Sequence, residues 1–252
     1  GLYDWYLAGG VVLNNQFLPA KKSAVTCLDL LRADTNHTAA ISCCRMSLPQ
    51  LIGSKDSFLS AAENHYFEQL KAQRRQHSYL LGRFAAKQAI IKKVPYIDAQ
   101  DIHIASGVFT QPVIEHPQIH NLLISISHTQ DYAMAVSFPE HYPMGIDIES
   151  VQRTNEQAIS RHVSLEEINI FKAFPYNEQQ ILTLLWSIKE ALSKSFKTGL
   201  MADFSLFDVA SAEKQKNLII SHFKYWHQYQ AISTIVGNLA FAVVLPKKTN
   251  IN

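Results

Sequence analysis

A chain of 252 residues, 47% hydrophobic and 17% charged, is long and apolar enough to bury a sizeable core. Its formal net charge of +2 argues against a dedicated nucleic-acid binder, and no run of eighteen apolar residues offers a membrane span. Cys27, Cys43 and Cys44 make no disulfide framework, and the start Gly1-Leu2-Tyr3-Asp4 lacks the build of a signal peptide, so a reducing, cytoplasmic setting is expected.

The first 45 residues read as strands at 11–13, 24–30 and 39–43, with Asn14-Asn15 and Pro19 at the turns. At Ser60-Ala61-Ala62-Glu63 the pattern changes to a capping box, followed by the apolar stripe of Tyr66, Phe67 and Leu70. A second helix is expected over about 76–92, from the helical spacing of Tyr79, Leu80, Phe84 and Ile91, with Pro95 beyond its end. Strands at 102–104, 122–127 and 132–138 lead to a further one at 145–149. Ser164-Leu165-Glu166-Glu167 is a second capping box, with Val163 and Ile168 placed as a hydrophobic staple. A helix over about 181–196 ends near Gly199, and 204–209, 218–223, 232–236 and 239–245 read as strands.

This order occurs twice. Nineteen positions separate Glu63 from Gly82, and nineteen separate Glu167 from Trp186. Each copy closes on an Ala-x-Ala-Val strand, Ala133-Met134-Ala135-Val136 and Ala240-Phe241-Ala242-Val243. The pattern predicts an α+β fold of two similar lobes made by internal duplication, residues 1–143 and 144–252. Each would be a helical layer on a small, mainly antiparallel sheet, with the active site at the lobe interface.

Gly145-Ile146-Asp147-Ile148-Glu149 alternates at period two, so both isoleucines face one way and both carboxylates the other. Two adjacent carboxylates repel unless one is protonated or a cation sits between them, and hard oxygen ligands suit Mg²⁺ with a phosphorylated substrate. Taken alone, the pair also suits a solvated acidic edge. On a helix, Trp186, Glu190 and Lys194 share one face; an exposed Glu190–Lys194 ion pair, worth about 0.3–0.5 kcal/mol, with Trp186 in the core, is the plain alternative.

In order and separation, Gly-Ile-Asp-Ile-Glu and Trp186-Ser187-Ile188-Lys189-Glu190-Ala191-Leu192-Ser193-Lys194 together resemble the signature of the 4′-phosphopantetheinyl transferases. The likeness is to their larger, monomeric, two-lobed type, which serves carrier proteins of peptide-synthetase, polyketide and siderophore pathways. Ile126-Ser127-His128-Thr129 is similar to that family's S-H-[ST] element, and residues 74–83 resemble its first-lobe helix. The resemblance implies transfer of phosphopantetheine from coenzyme A to a serine of an apo acyl or peptidyl carrier protein, with release of 3′,5′-ADP. It implies Mg²⁺ held by Asp147, Glu149 and Glu190, Glu190 as base, and Lys194 against the pyrophosphate. Ser127 and His128 would meet a coenzyme A phosphate and Arg75 and Arg83 the 3′-phosphate, while Lys189 serves phosphate or solvent. The expected partners are coenzyme A and a carrier protein, not nucleic acid or membrane, and the expected state is a monomer. One departure stands out. Ser106-Gly107-Val108-Phe109-Thr110-Gln111-Pro112 lacks the lysine of the Gly-Lys-Pro that many relatives carry. A coenzyme A-binding protein without transfer activity, or a phosphohydrolase using the same metal, are the alternatives.

Overall fold

The computed structural model describes residues 4–7, 11–14, 23–32, 35–108, 110–196, 203–247 and 250–251. A small hairpin of β1 (Asp4–Leu7) and β2 (Val11–Asn14) precedes the long hairpin β3 (Ser23–Arg32) and β4 (Thr35–Cys44). Helices α1 (Leu48–Ser54), α2 (Ala61–Gln69) and α3 (Gln73–Lys93) follow, then the hairpin β5 (His103–Ser106) and β6 (Pro112–Glu115). Strands β7 (Leu122–His128) and β8 (Ala133–Pro139) lead through a short crossing to β9 (Gly145–Ser150). Then come α4 (Glu156–Ile159), α5 (Leu165–Phe171) and α6 (Glu178–Ser195). The meander β10 (Val209–Gln215), β11 (Leu218–Phe223), β12 (Tyr229–Val236) and β13 (Leu239–Pro246) ends in the short β14 (Asn250–Ile251).

Two antiparallel five-stranded sheets result, in the orders β14-β3-β4-β8-β7 and β10-β11-β12-β13-β9. Period-two alternation assigns their faces. Ile41 and Cys43 of β4, Met134, Val136 and Phe138 of β8, Ile146 and Ile148 of β9 and Phe241 of β13 point into one shared core between the sheets. The opposite faces carry small residues because a helix lies on each. Cys44, Ala133 and Ala135 meet Leu81, Ala85 and Ala89 of α3. Ala240, Ala242 and Val244 meet Leu185, Ile188 and Ala191 of α6. The layers run helix, sheet, sheet, helix. β14 departs from the lobe order by pairing with β3 in the first sheet.

Both capping boxes form. Ser60 N–H donates to Glu63 Oε2 (2.8 Å) and Ser164 N–H to Glu167 Oε2 (2.8 Å). Each glutamate also reaches further than a cap. Glu63 Oε1 accepts from Ile104 N–H, and Glu63 Oε2 lies 2.9 Å from the fully buried Lys87 ammonium. Glu167 Oε1 accepts from Val209 N–H, and Glu167 Oε2 lies 2.9 Å from the fully buried Lys189 ammonium. The partner lysine follows 24 residues on in one copy and 22 in the other, so the matched nineteen-residue spacings do not align the two helices in true register.

Two local expectations are corrected and one helix is added. Helix α1 is unannounced by periodicity, though Ser47 and Gln50 form a capping box at its start, and α6 starts earlier than expected because Asn177 caps it in a further one with Gln180. The stretch Phe204–Phe207 is a 3₁₀ turn, not a strand: Phe204 and Phe207, three apart, are both buried, a spacing that suits three residues per turn. The expected cap at Gly199 lies outside the described residues.

Candidate active site

β9 crosses α6 at close quarters, and Gly145 makes this possible. A Cβ there would lie 1.8 Å from the Ala191 carbonyl oxygen, so any side chain would push strand and helix apart. Two residues on, the carboxylate of Asp147 reaches the last turns of the same helix. It is 2% exposed, and its Oδ1 accepts from Lys194 Nζ at 2.7 Å. Lys194 also donates to the Ile146 carbonyl oxygen (3.2 Å). The solvated-edge reading of Asp147 and the Glu190–Lys194 surface pair are both replaced by this buried contact. Oδ2 of Asp147 and Oε1 of Glu190 are buried without a hydrogen-bond partner.

Unpaired buried carboxylate oxygens are costly, and the electrostatics register it. Burial first, then the Asp147 carboxylate, raises Glu190 to about 7. Burial and then Asp147 likewise raise Glu149 to about 7, with Lys194 and the Trp186 indole pulling the other way. Trp186 is therefore no plain core residue. It stacks on Phe204, with centroids 5.0 Å apart, and its indole N–H interacts with Glu149. The shared helix face of Trp186, Glu190 and Lys194 was the signal that could have shown this in the sequence.

The other side of the site comes from β7, the edge strand of the first sheet. Among the described residues no backbone ladder joins β7 to β9; serine hydroxyls do so instead. Ser125 Oγ accepts from Ile146 N–H and Ser127 Oγ from Ile148 N–H, each at 3.2 Å. Ser127 in turn donates to Asp147 Oδ1 (2.8 Å). His128 follows at the strand end, beside Gly82 of α3, where an added Cβ would sit 3.8 Å from its ring. Desolvation, then the Lys194 ammonium, holds its imidazole below the usual range. A cavity of about 1070 Å³ opens alongside, lined by Pro112, Val113, Phe138, Glu190, Lys194 and Tyr229, among others.

Ser127, His128, Asp147, Glu149, Glu190 and Lys194 thus gather at one place. Lys189 does not join them. Its ammonium is fully buried between Glu167, Asp208 (2.6 Å) and the carbonyls of His162 and Phe204, so it serves neither phosphate nor solvent. Arg83 is turned towards other groups: its Nε lies 3.2 Å from Glu63 Oε1 without a hydrogen bond, and Nη2 donates to the Ile104 carbonyl. Arg75 is exposed on the first turn of α3, two turns before Gly82.

Three carboxylates with two orphaned oxygens suit a hard divalent cation in donor chemistry. Among the described residues, however, no group of three or more such side chains is arranged to hold a metal ion by itself.

A family model of the 4′-phosphopantetheinyl transferase superfamily matches residues 143–244, from the approach to β9 through most of β13. The holo-[acyl-carrier-protein] synthase of Mycoplasma capricolum subsp. capricolum is 33% identical over 82 residues, covering 32% of this chain and 74% of that protein. That of Mycoplasma mycoides subsp. mycoides is 33% identical over 70 residues, covering 28% and 64%. The chain thus spans 64% and 74% of the length of these two relatives. A solved holo-(acyl-carrier-protein) synthase from Bacillus anthracis, in complex with CoA (3′,5′-ADP), gives a TM-score of 0.34 at 22% identity, over 44% of this chain and 96% of that one.

Proposed function

The chain belongs to the 4′-phosphopantetheinyl transferase superfamily, and on that premise we propose that it transfers 4′-phosphopantetheine from coenzyme A to a serine of an apo carrier protein. The observation that carries this reading is the convergence of Asp147, Glu149 and Glu190, two of them with unpartnered buried oxygens, on Lys194 beside an open cavity. Such a site needs positive charge and offers room for a phosphorylated ligand.

In the reaction the carrier serine Oγ forms a bond to the β-phosphorus of coenzyme A as the phosphoanhydride bond breaks and 3′,5′-ADP leaves. Glu190, which lines the cavity, would accept the serine proton, directly or through a water. Lys194 offsets negative charge growing on the departing phosphate. His128 and the exposed Arg75 would meet phosphate from the first-lobe side. Asp147, Glu149 and Glu190 would hold Mg²⁺, which supplies charge neutralisation to the pyrophosphate when bound.

Both lobes of one chain supply the site, which supports a division at 143/144 and a working monomer. The twice-built glutamate–lysine pair supports duplication. Cys27, Cys43 and Cys44 are free, and no helix among the described residues is long and apolar enough to cross a membrane. The carrier class served, whether of fatty-acid, peptide-synthetase, polyketide or siderophore synthesis, is set by testing a panel. Apo carrier domains incubated with the protein, coenzyme A and Mg²⁺ should gain the mass of phosphopantetheine. Coenzyme A bound without carrier modification would favour the binding-protein alternative, and its cleavage without carrier would favour the hydrolase.

A further inference from the structure

Ser127 was expected at a coenzyme A phosphate, yet its hydroxyl is already committed at both ends. Its oxygen accepts from Ile148 N–H, so its own proton is directed to Asp147 Oδ1. Oδ1 then receives two donors, Ser127 at 2.8 Å and Lys194 at 2.7 Å, while Oδ2 receives none. A carboxylate pinned through one oxygen by donors from a strand and a helix cannot rotate freely, and the plane that carries its second oxygen is fixed. Ser127 is 7% exposed and Asp147 2%, so water does not readily replace either contact.

We propose that Ser127 is a positioning residue, which reaches from the first lobe to orient Asp147 and so presents Oδ2 as the ligating oxygen for a divalent cation. This rests on the transferase reading in assigning the cation, and it replaces the phosphate contact expected of Ser127. Hydrogen-bond partners of ligating carboxylates commonly tune metal affinity by about 10–100-fold.

The fold supplies its own control. Ser125 makes the same bond to the same strand, accepting from Ile146 N–H at 3.2 Å, but its hydroxyl has no recorded contact with Asp147. Ser125→Ala and Ser127→Ala therefore lose equivalent seam bonds, and only the second loses the bond to Asp147. Mn²⁺ alone, titrated into the full chain and followed by the EPR signal of the free ion, reads affinity without turnover. Ser127→Ala should weaken Mn²⁺ about 10–100-fold, while Ser125→Ala and the hydroxyl-retaining Ser127→Thr stay near wild type. Should Ser127→Ala fail to fold, Ser127→Cys keeps the volume with a poor hydrogen bond and is expected to behave in the same way. Equal Mn²⁺ affinity in the Ser125 and Ser127 alanine variants overturns the proposal, as does a wild-type chain that binds no Mn²⁺. A rise in the coenzyme A requirement of Ser127→Ala with Mn²⁺ affinity unchanged also overturns it and returns the residue to a phosphate. If the Mn²⁺ pattern is as expected but no carrier is modified, the positioning role stands and the transferase reading fails.

Discussion

The two lobes share a frame and differ in what that frame is asked to hold. In each, a glutamate at the third position of a capped helix ties together the cap, a buried lysine on the long helix and the N–H of a later strand. In each, the Ala-x-Ala-Val strand has a neighbour at the same register. Ala133 and Ala135 lie opposite Cys44 and Ser42, whereas Ala240 and Ala242 lie opposite Glu149 and Asp147. The first lobe's small polar groups are satisfied by its own helix: Ser42 donates to the Ala85 carbonyl and Cys44 to that of Leu81. The second lobe puts carboxylates at those positions, and its helix satisfies them only in part: Lys194 reaches Asp147 Oδ1 and the Trp186 indole reaches Glu149, while Asp147 Oδ2 stays unpartnered. One site is closed by its own backbone, while the other keeps unpartnered carboxylate oxygens at Asp147 and Glu190.

The sharpest way to break the shared frame is to remove its lysines. Lys189→Met should destabilise by about 3–5 kcal/mol, because the buried Glu167 loses its counter-charge, and Lys87→Met should also destabilise, though Glu63 keeps Arg83 nearby. Lys189→Met should cost more, since Asp208 is stranded as well. Denaturant unfolding measures both, and a negligible loss at either would show that the two pairs are not equivalent supports.

Next in size is the chemical difference. Glu190→Gln keeps helix and volume and removes the unpartnered charge, so turnover with a matched carrier should fall by about 100-fold or more, a loss of about 2.7 kcal/mol. Without Mg²⁺ its stability should hold or rise. Full turnover at saturating coenzyme A and Mg²⁺ would remove Glu190 from the site.

The pH response should separate the lobes further. Glu149 and Glu190 are raised to about 7 from an ordinary value of 4.5, so the folded chain binds their protons more tightly than the unfolded one. Their contribution to stability is fully present below about 4.5 and is lost as pH climbs towards about 7. Melting temperature without divalent cation should therefore fall across that window. Replacing both residues by glutamine should flatten the slope, and an unchanged slope would point to other groups.

The smallest effects concern the arginines. Arg75→Ala should weaken coenzyme A a few-fold and spare 3′-dephospho-coenzyme A. Arg83→Ala, which loses its contacts with Glu63 and Ile104, should lower stability by about 1–3 kcal/mol and treat both ligands alike. A selective loss at Arg83 would mean that its guanidinium leaves Glu63 to bind ligand.

Much of this was legible beforehand. The capping boxes, the alternation of β9 and the helix face of Trp186, Glu190 and Lys194 are local patterns, and local patterns survive folding. What escaped was long-range. Nothing in the spacing says that Lys194 prefers Asp147, 47 residues away, to Glu190 one turn back. Nor does an alternating strand reveal that Ser125 and Ser127 face the edge of another sheet. The glutamate partners of Lys189 and Arg83 are hidden for a related reason: helix geometry gives the direction of a side chain but not whether a buried glutamate awaits it.

The core between the sheets has a consequence for how the molecule comes apart. It draws Ile41, Met134 and Val136 from one sheet and Ile146, Ile148, Ile220 and Phe241 from the other, so each lobe forms half of a single interior. Cutting the chain between Pro143 and Met144 would leave two fragments, each with a bare apolar sheet face, neither fit to stand alone in water. Melting should therefore be one cooperative transition with no half-molten plateau, and the separated halves should recover order only when mixed.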